Sequence, residues 1–184
     1  MKTLSILLLL VIVAISAKNL LFSFRAQNPA DYAGTGPAFL LKEQLAGEIL
    51  SEGIIYGPTG KMTNSFVAKM VGEWQGDTGT LTENFTYSNG KTQNRKWFLK
   101  IGEGNNFTAT ADDIVGEATG TISGSTVIMR YKIVLPEDSG GYTLTATDWL
   151  YLTKDGAIMN KSEMRMFGIK VAELIATMRP ATAE

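Results

Sequence analysis

The run TVIMRYKIV (Thr126 to Val134), the loop LPEDSGGY and the run TLTATDWLYL (Thr143 to Leu152) together decide the fold. In the first run Val127, Met129, Tyr131 and Ile133 fall on one side, and Arg130 and Lys132 on the other. In the second, Leu144, Ala146, Leu150 and Leu152 oppose Thr143, Thr145 and Thr147. A two-residue period with one apolar face is the mark of a half-buried strand, so two strands joined by a glycine-rich loop are expected.

The same rhythm extends outward. All nineteen glycines lie between Gly34 and Gly168. From Gly47 onward they help punctuate the chain at nine places: Gly57 to Gly60, Gly76 to Gly79, Asn89-Gly90, Gly102 to Asn105, Asp112 to Gly116, Ser123 to Ser125, Pro136 to Gly141, Asp155-Gly156 and Gly168. Asn-Gly and Asp-Gly between extended runs are hairpin signals, because both central residues of a type I′ turn need positive φ. Twenty threonines add β-branched side chains suited to strands. Nine turns imply ten strands, and a meander of that length removes its exposed edges by closing on itself. The expected fold is all-β, an antiparallel up-and-down barrel of about ten strands. The segment Ile169 to Met178 fits helix or strand, and is read as strand because it would pair with the first strand and close the barrel. One short helix is expected near Phe39 to Glu48, where Phe39, Leu40, Leu41 and Leu45 share a side and Lys42, Glu43 and Gln44 face water.

The beginning of the chain differs in kind. Leu4 to Ala17 is an uncharged run of fourteen residues preceded by Lys2, the layout of an export signal. After Lys18 and Asn19 the apolar pattern resumes to Phe24, giving a stretch with one lysine that could snorkel to a membrane interface. Residues 1–24 therefore read as a signal peptide or as a single-pass membrane anchor, and either fate exports the domain. Residues 25–38 (RAQNPADYAGTGP and Ala38) read as a polar tether, and residues 39–184 as the barrel domain.

Composition narrows the chemistry. The net charge is −1, which supplies no basic excess for phosphate contacts, so no nucleic-acid partner is expected. Without histidine or cysteine the chain has no histidine-dependent triad, thiolate nucleophile, disulfide, or zinc site built on those residues. No catalytic residue, metal or cofactor is assigned. Gly116, Gly120 and Gly124 lead into more strand rather than a helix, so they read as close strand packing and not a phosphate loop. Asp112-Asp113 and Glu137-Asp138 lack the alternate spacing of a calcium loop and read as solvated turns.

Polar residues on apolar strand faces are more informative. Arg95 shares a face with Trp97 and Leu99, Asp148 with Leu144 to Leu152, and Asn160 with Ile158, Met164 and Met166. Buried charges need partners, so Arg95 and Asp148 would meet each other inside the barrel, or one would meet a ligand head group. The candidate cavity residues are Arg95, Trp97, Met129, Tyr131, Asp148, Trp149, Asn160 and Met164. The competing reading is a satisfied polar network inside a filled barrel.

From Asp31 onward the sequence resembles an uncharacterised proteobacterial family of lipocalin-like envelope proteins, catalogued as a domain of unknown function. The resemblance rests on Asp31 to Pro37, Gly53 with Gly57 to Gly60, Gly72-Glu73-Trp74 with Gly76, Phe85 and Tyr87 before Asn89-Gly90, Arg95 with Trp97, Val115 to Gly120, Asp148 to Leu152, and Asn160 to Ser162 with Phe167-Gly168. It implies a calycin-type barrel in the cell envelope, periplasmic, either anchored in the inner membrane or released. Many members look like lipoproteins acylated on a cysteine, which this chain lacks. The leading expectation is an exported, membrane-tethered, monomeric barrel that binds or carries a lipid or other hydrophobic small molecule. A structural envelope protein with a filled barrel is the alternative. A hydratase or isomerase acting on an isoprenoid-like substrate, using Asp148 with Tyr131 or Tyr151, is a third.

Overall fold

A computed structural model describes residues 2–181. Met1 and residues 182–184, the outer ends of the expected first and last segments, lie outside the described residues. So does the Lys18 side chain, on which the snorkelling idea depends.

Ten strands follow one another in the chain: β1 (Gly47–Tyr56), β2 (Met62–Gln75), β3 (Thr78–Tyr87), β4 (Thr92–Ile101), β5 (Asn106–Thr110), β6 (Ala118–Ser123), β7 (Thr126–Val134), β8 (Thr143–Leu152), β9 (Ile158–Met166) and β10 (Ile169–Pro180). Each pairs antiparallel with its sequence neighbour, and β1 pairs with β10 from Ile49↔Pro180 to Tyr56↔Glu173, so the sheet is a closed barrel. The nine glycine-marked turns all fall between strands, and the ambiguous last segment is the strand that closes the ring. Closure leaves no unpaired sheet edge.

Alternation places Ile49, Phe66, Met70, Leu81, Leu99 and Val127 in the interior core. Two glycines allow close approaches there. A Cβ on Gly120 would lie 2.1 Å from the Phe107 ring, so the glycine is what lets β6 lie over that phenylalanine. A Cβ on Gly72 would lie 1.9 Å from the Leu45 carbonyl oxygen.

That second contact locates the plug. Helix α2 (Leu41–Gln44) is one turn long and directs Leu41, with Phe39 and Leu45 on either side of it, into the end of the barrel where β2 turns into β3. The Trp74 indole N–H donates to the Leu45 carbonyl at 2.9 Å, and Lys42 pairs with Asp77 at 2.7 Å. The Gly72 to Trp74 stretch is thus the seat on which the plug rests. Gly72→Ala is expected to lower stability by about 1–3 kcal/mol, the cost of forcing a methyl group into packed backbone. Urea unfolding checks this, and an unchanged midpoint would mean the plug shifts freely.

Residues 25–38, read as a polar tether, are partly docked along the outer wall. Two 3-10 turns, Phe24–Ala26 and Pro29–Tyr32, form there, the second with a capping box between Asn28 and Asp31. Tyr32 packs on Trp149 and Tyr151 with ring centroids 5.2 and 6.0 Å apart. Gln27 Oε1 accepts from the Tyr32 and Tyr151 hydroxyls, each at 2.6 Å. Ser123 donates to the Pro29 carbonyl, and the Phe39 amide donates to the Gly124 carbonyl. Polar composition marks a segment as unable to build its own core, and says nothing of whether it lies on another element's surface.

The N-terminal segment forms helix α1 (Lys2–Leu21), with Leu4 to Val13 exposed along it. Among the described residues no helix is long and apolar enough to cross a membrane.

Candidate functional site

The barrel is not filled. Inside it lies a cavity of about 700 Å³, whose lining runs from Leu41 and Leu45 of the plug to Asn64, Asn89, Lys91 and Pro136 in and beside the hairpins at the other end. That other end, where β1 meets β2, β3 meets β4 and β7 meets β8, is the mouth. Lys91 and Asp138 pair across it at 2.5 Å, joining the β3–β4 and β7–β8 hairpins, which β5 and β6 separate in the ring. Both side chains are 58% exposed, so the pair is a weak latch.

The walls are mainly apolar, with Phe66, Met70, Leu81, Phe107, Met129 and Leu174 among them. A polar centre sits within. Glu83 on β3 and Arg95 on β4 are directly paired residues, and both face inward by strand parity. Arg95 Nε donates to Asp113 at 3.0 Å, while its Nη1 is 3.9 Å from Glu83 Oε2. The guanidinium carbon lies 4.1 Å from the centre of the Trp97 ring, a cation–π contact. Trp97 meets Tyr131 edge to face across the barrel at 5.4 Å, and the Tyr131 hydroxyl donates to Asp148 at 2.9 Å.

This network is short of partners. Glu83 Oε2, Arg95 Nη2 and Asp148 Oδ1 are buried and lack a hydrogen bond of good geometry among the described residues. Burial pushes the Glu83 carboxyl up to about 7 against the lowering influence of Arg95. Asp148 is likewise pushed up by burial, despite the Ser162 and Tyr131 hydroxyls beside it. Burial, reinforced by the Asp148 charge, drives Tyr131 well above the ordinary tyrosine value. For Arg95, burial alone would lower the value, and Tyr131, Glu83 and Asp113 together outweigh it, so the side chain stays charged.

Seven of the eight residues singled out from the sequence line this cavity: Arg95, Trp97, Met129, Tyr131, Asp148, Asn160 and Met164. Trp149 does not. It is the neighbour of inward-facing Asp148, so strand alternation turns it to the outer wall, where Tyr32 and the rest of the docked segment bury it to 1% exposure. Tyr151 also faces out and bonds to Gln27, so the Asp148–Tyr151 pair does not form, whereas Asp148–Tyr131 does.

Of the two expectations for Arg95 and Asp148, that they meet each other or that one meets a ligand head group, the first does not hold: Asp113 and Glu83 are the carboxylates beside Arg95. Asp113, read as part of a solvated turn, is carried inward because its loop folds back on β7 through the Ile114↔Ile133 bridge. Nothing in the local spacing announces this. Glu83 was legible and missed: it shares a face with Leu81, Phe85 and Tyr87 on β3.

Among the described residues no carboxylate cluster is arranged to hold a metal ion. Fold and site together define a closed antiparallel barrel with a plugged end, a mouth and a polar-centred apolar cavity. The chain belongs to the family described as proteins of unknown function DUF3833, whose profile matches residues 18–180. No curated protein sequence matches it. Among solved structures it is similar to the S-type phycobiliprotein lyase CPES from Guillardia theta, with a TM-score of 0.59 at 7% identity, covering 78% of this chain and 92% of that one. It is also similar to Rv2717c from M. tuberculosis, with a TM-score of 0.53 at 16% identity, covering 80% of this chain and 99% of that one. At such identities the likeness is one of fold.

Proposed function

We propose that this protein is a binding or carrier barrel for a small molecule with an apolar body, a lipid or another hydrophobic compound. The observation that carries the reading is the cavity of about 700 Å³, apolar along its walls and open at one end. A packed structural barrel would have its interior filled by side chains, as cores are. Ligand sites of this kind are typically about 300–1,000 Å³ with a few convergent polar groups, which describes the arrangement around Arg95. A lyase with this barrel topology adds fold-level support for a barrel that handles a small molecule.

The proposed location is the cell envelope, with residues 1–24 as export signal or anchor. The uncharged run Leu4 to Ala17, behind Lys2, supports the export step.

Native mass spectrometry of protein purified from its own cells is expected to show a copurifying hydrophobic molecule. The intact mass from the same preparation reports the fate of the N-terminus: a chain beginning near Ala17 refutes the anchor, and a cytosolic full-length chain refutes export. Tryptophan fluorescence gives the in vitro counterpart. Of the three tryptophans, Trp97 faces the cavity, Trp149 lies on the outer wall and Trp74 holds the plug. A ligand-induced change is expected to survive Trp149→Phe and to disappear in Trp97→Phe. Failure of every apolar probe to bind would sink the proposal.

A further inference from the structure

The rim of the mouth is uneven. The β9–β10 turn and the β1–β2 hairpin are neighbours in the ring, and between them they expose Phe167, Ile169 and Met62. Phe167 is 94% exposed and Ile169 69% exposed. Among the described residues Phe167 is also the only non-glycine with positive φ, at 51°, followed by Gly168 at 79°. A left-handed backbone is strained for a bulky side chain and easier for asparagine or glycine, yet here it carries a phenylalanine standing in solvent. The turn is braced as well: Arg165 Nη1 donates to the Gly168 carbonyl at 2.8 Å, and Nη2 of the same guanidinium donates to Glu163 at 2.6 Å. Charge is divided across the rim. The tips GPTGKM (residues 57–62) and MFGIK (residues 166–170) contain Lys61 and Lys170 and no acid, whereas Asp112, Glu117, Glu137 and Asp138 lie on the β5–β6 and β7–β8 loops. The exposed Val115 and Tyr142 stand on those acidic loops, outside the apolar and basic sector. Glu173 behind the tip is shared by Lys170 and Lys161, so pairing leaves the sector positive.

We propose that this sector of the mouth docks on an anionic lipid bilayer, with Phe167, Ile169 and Met62 entering the head-group layer and Lys61 and Lys170 meeting lipid phosphates. The choice of a bilayer over a protein partner rests in part on the carrier reading above. The cavity lining reaches Ile55 and Thr63 below one tip and Met164 and Ala172 below the other, so the docked face is continuous with the cavity entrance. A bilayer supplies apolar surroundings for the tips and, in the same place, hydrophobic molecules of the kind the cavity takes. Attachment at such a surface grows with the apolar area buried, and each lysine near anionic head groups adds to it. Three side chains offer less than the roughly 800 Å² per partner of a stable protein interface, whereas a fluid surface needs no matching shape.

The test uses the purified full chain, which has no cysteine, so that a single one can be introduced and labelled with an environment-sensitive fluorophore. Ile169→Cys carries the label at the tip, and Lys154→Cys carries it in the β8–β9 turn at the opposite end of the barrel. With vesicles of equal parts phosphatidylcholine and phosphatidylglycerol, the label at the tip is expected to brighten several-fold, shift to the blue and be quenched by spin-labelled lipid, while the label at the opposite end stays in water. Vesicles of phosphatidylcholine alone are expected to give a weaker response, and so is high salt. Phe167→Asn suits the left-handed backbone, so it is expected to keep or raise the urea midpoint while cutting the tip response several-fold. A purely structural role for Phe167 would instead lower the midpoint. Vesicle binding with both labels in water, the result of attachment through α1 alone, overturns the proposal. A response only at the opposite end, a response indifferent to lipid charge, or no response at all does so too. A tip response that grows with protein concentration in the absence of vesicles assigns the sector to a second copy of the chain and also overturns it. Trp97 fluorescence with a dissolved apolar probe reads the cavity separately: binding there without a tip response removes the docking and leaves the carrier, and a tip response with no probe entering leaves a membrane-docking barrel and removes the carrier.

Discussion

Arg95→Leu is expected to destabilise the protein by about 3 kcal/mol at pH 7, read as a lower urea midpoint at unchanged slope. The substitution keeps an aliphatic side chain against Trp97 and removes the only guanidinium in the polar centre. Asp113 then loses its 3.0 Å hydrogen bond, and Glu83 loses the charge that opposes the effect of its burial. Breaking a buried pair by deleting one partner costs about 3–5 kcal/mol. The lower end applies here because the Asp113 side chain keeps 22% of its exposure and can recover some solvation. The loss is expected to shrink at pH 5, where Glu83 is neutral. A loss below about 1 kcal/mol at pH 7 would mean that the pairing carries little of the stability.

The second large effect is a pH dependence that runs against the common direction. Folding raises Glu83 from 4.5 to about 7, so in this range the folded state binds the proton more tightly than the unfolded chain. Stability from that difference is complete below pH 4.5 and is lost as pH rises to about 7. The raised Asp148 acts in the same sense. Glu173, held low by Lys170 and Lys161 against some burial, acts oppositely but lies near the surface. A tenfold difference in proton affinity between the folded and unfolded states corresponds to about 1.4 kcal/mol, so Glu83 alone lowers stability by about 3 kcal/mol between pH 4.5 and pH 7. Urea unfolding at intervals across that window should show the decline, and Glu83→Gln should remove most of it. Stability that climbed with pH across the window would refute the protonation assignment. Together the two experiments report on the same cluster, and only one of them requires removing its cation.

How far the site was legible follows from what kind of information each residue needed. Arg95, Trp97, Tyr131 and Asp148 were identifiable because strand parity fixes the face of every residue once the strand is recognised. Applied to its end, the same rule would have excluded Trp149, the neighbour of inward-facing Asp148, and would have included Glu83, two residues from Leu81. Asp113 lies beyond the reach of parity, because its loop has no period and its direction is set by contact with β7. The docking of Gln27, Pro29 and Tyr32 is of the same kind: a short polar segment gains its place from aromatic side chains on β8.

The sequence by itself determined ten strands, their order, the antiparallel pairing and the closure of the last strand on the first. Those are consequences of a two-residue period and of turn residues that accept positive φ, both local properties of the chain. Only the tertiary structure decided that the barrel is hollow, that α2 plugs one end, and that Arg95 pairs with Asp113 and Glu83 while Asp148 pairs with Tyr131. Whether inward side chains meet across a barrel or leave space between them depends on its diameter and strand stagger, set by all ten strands at once.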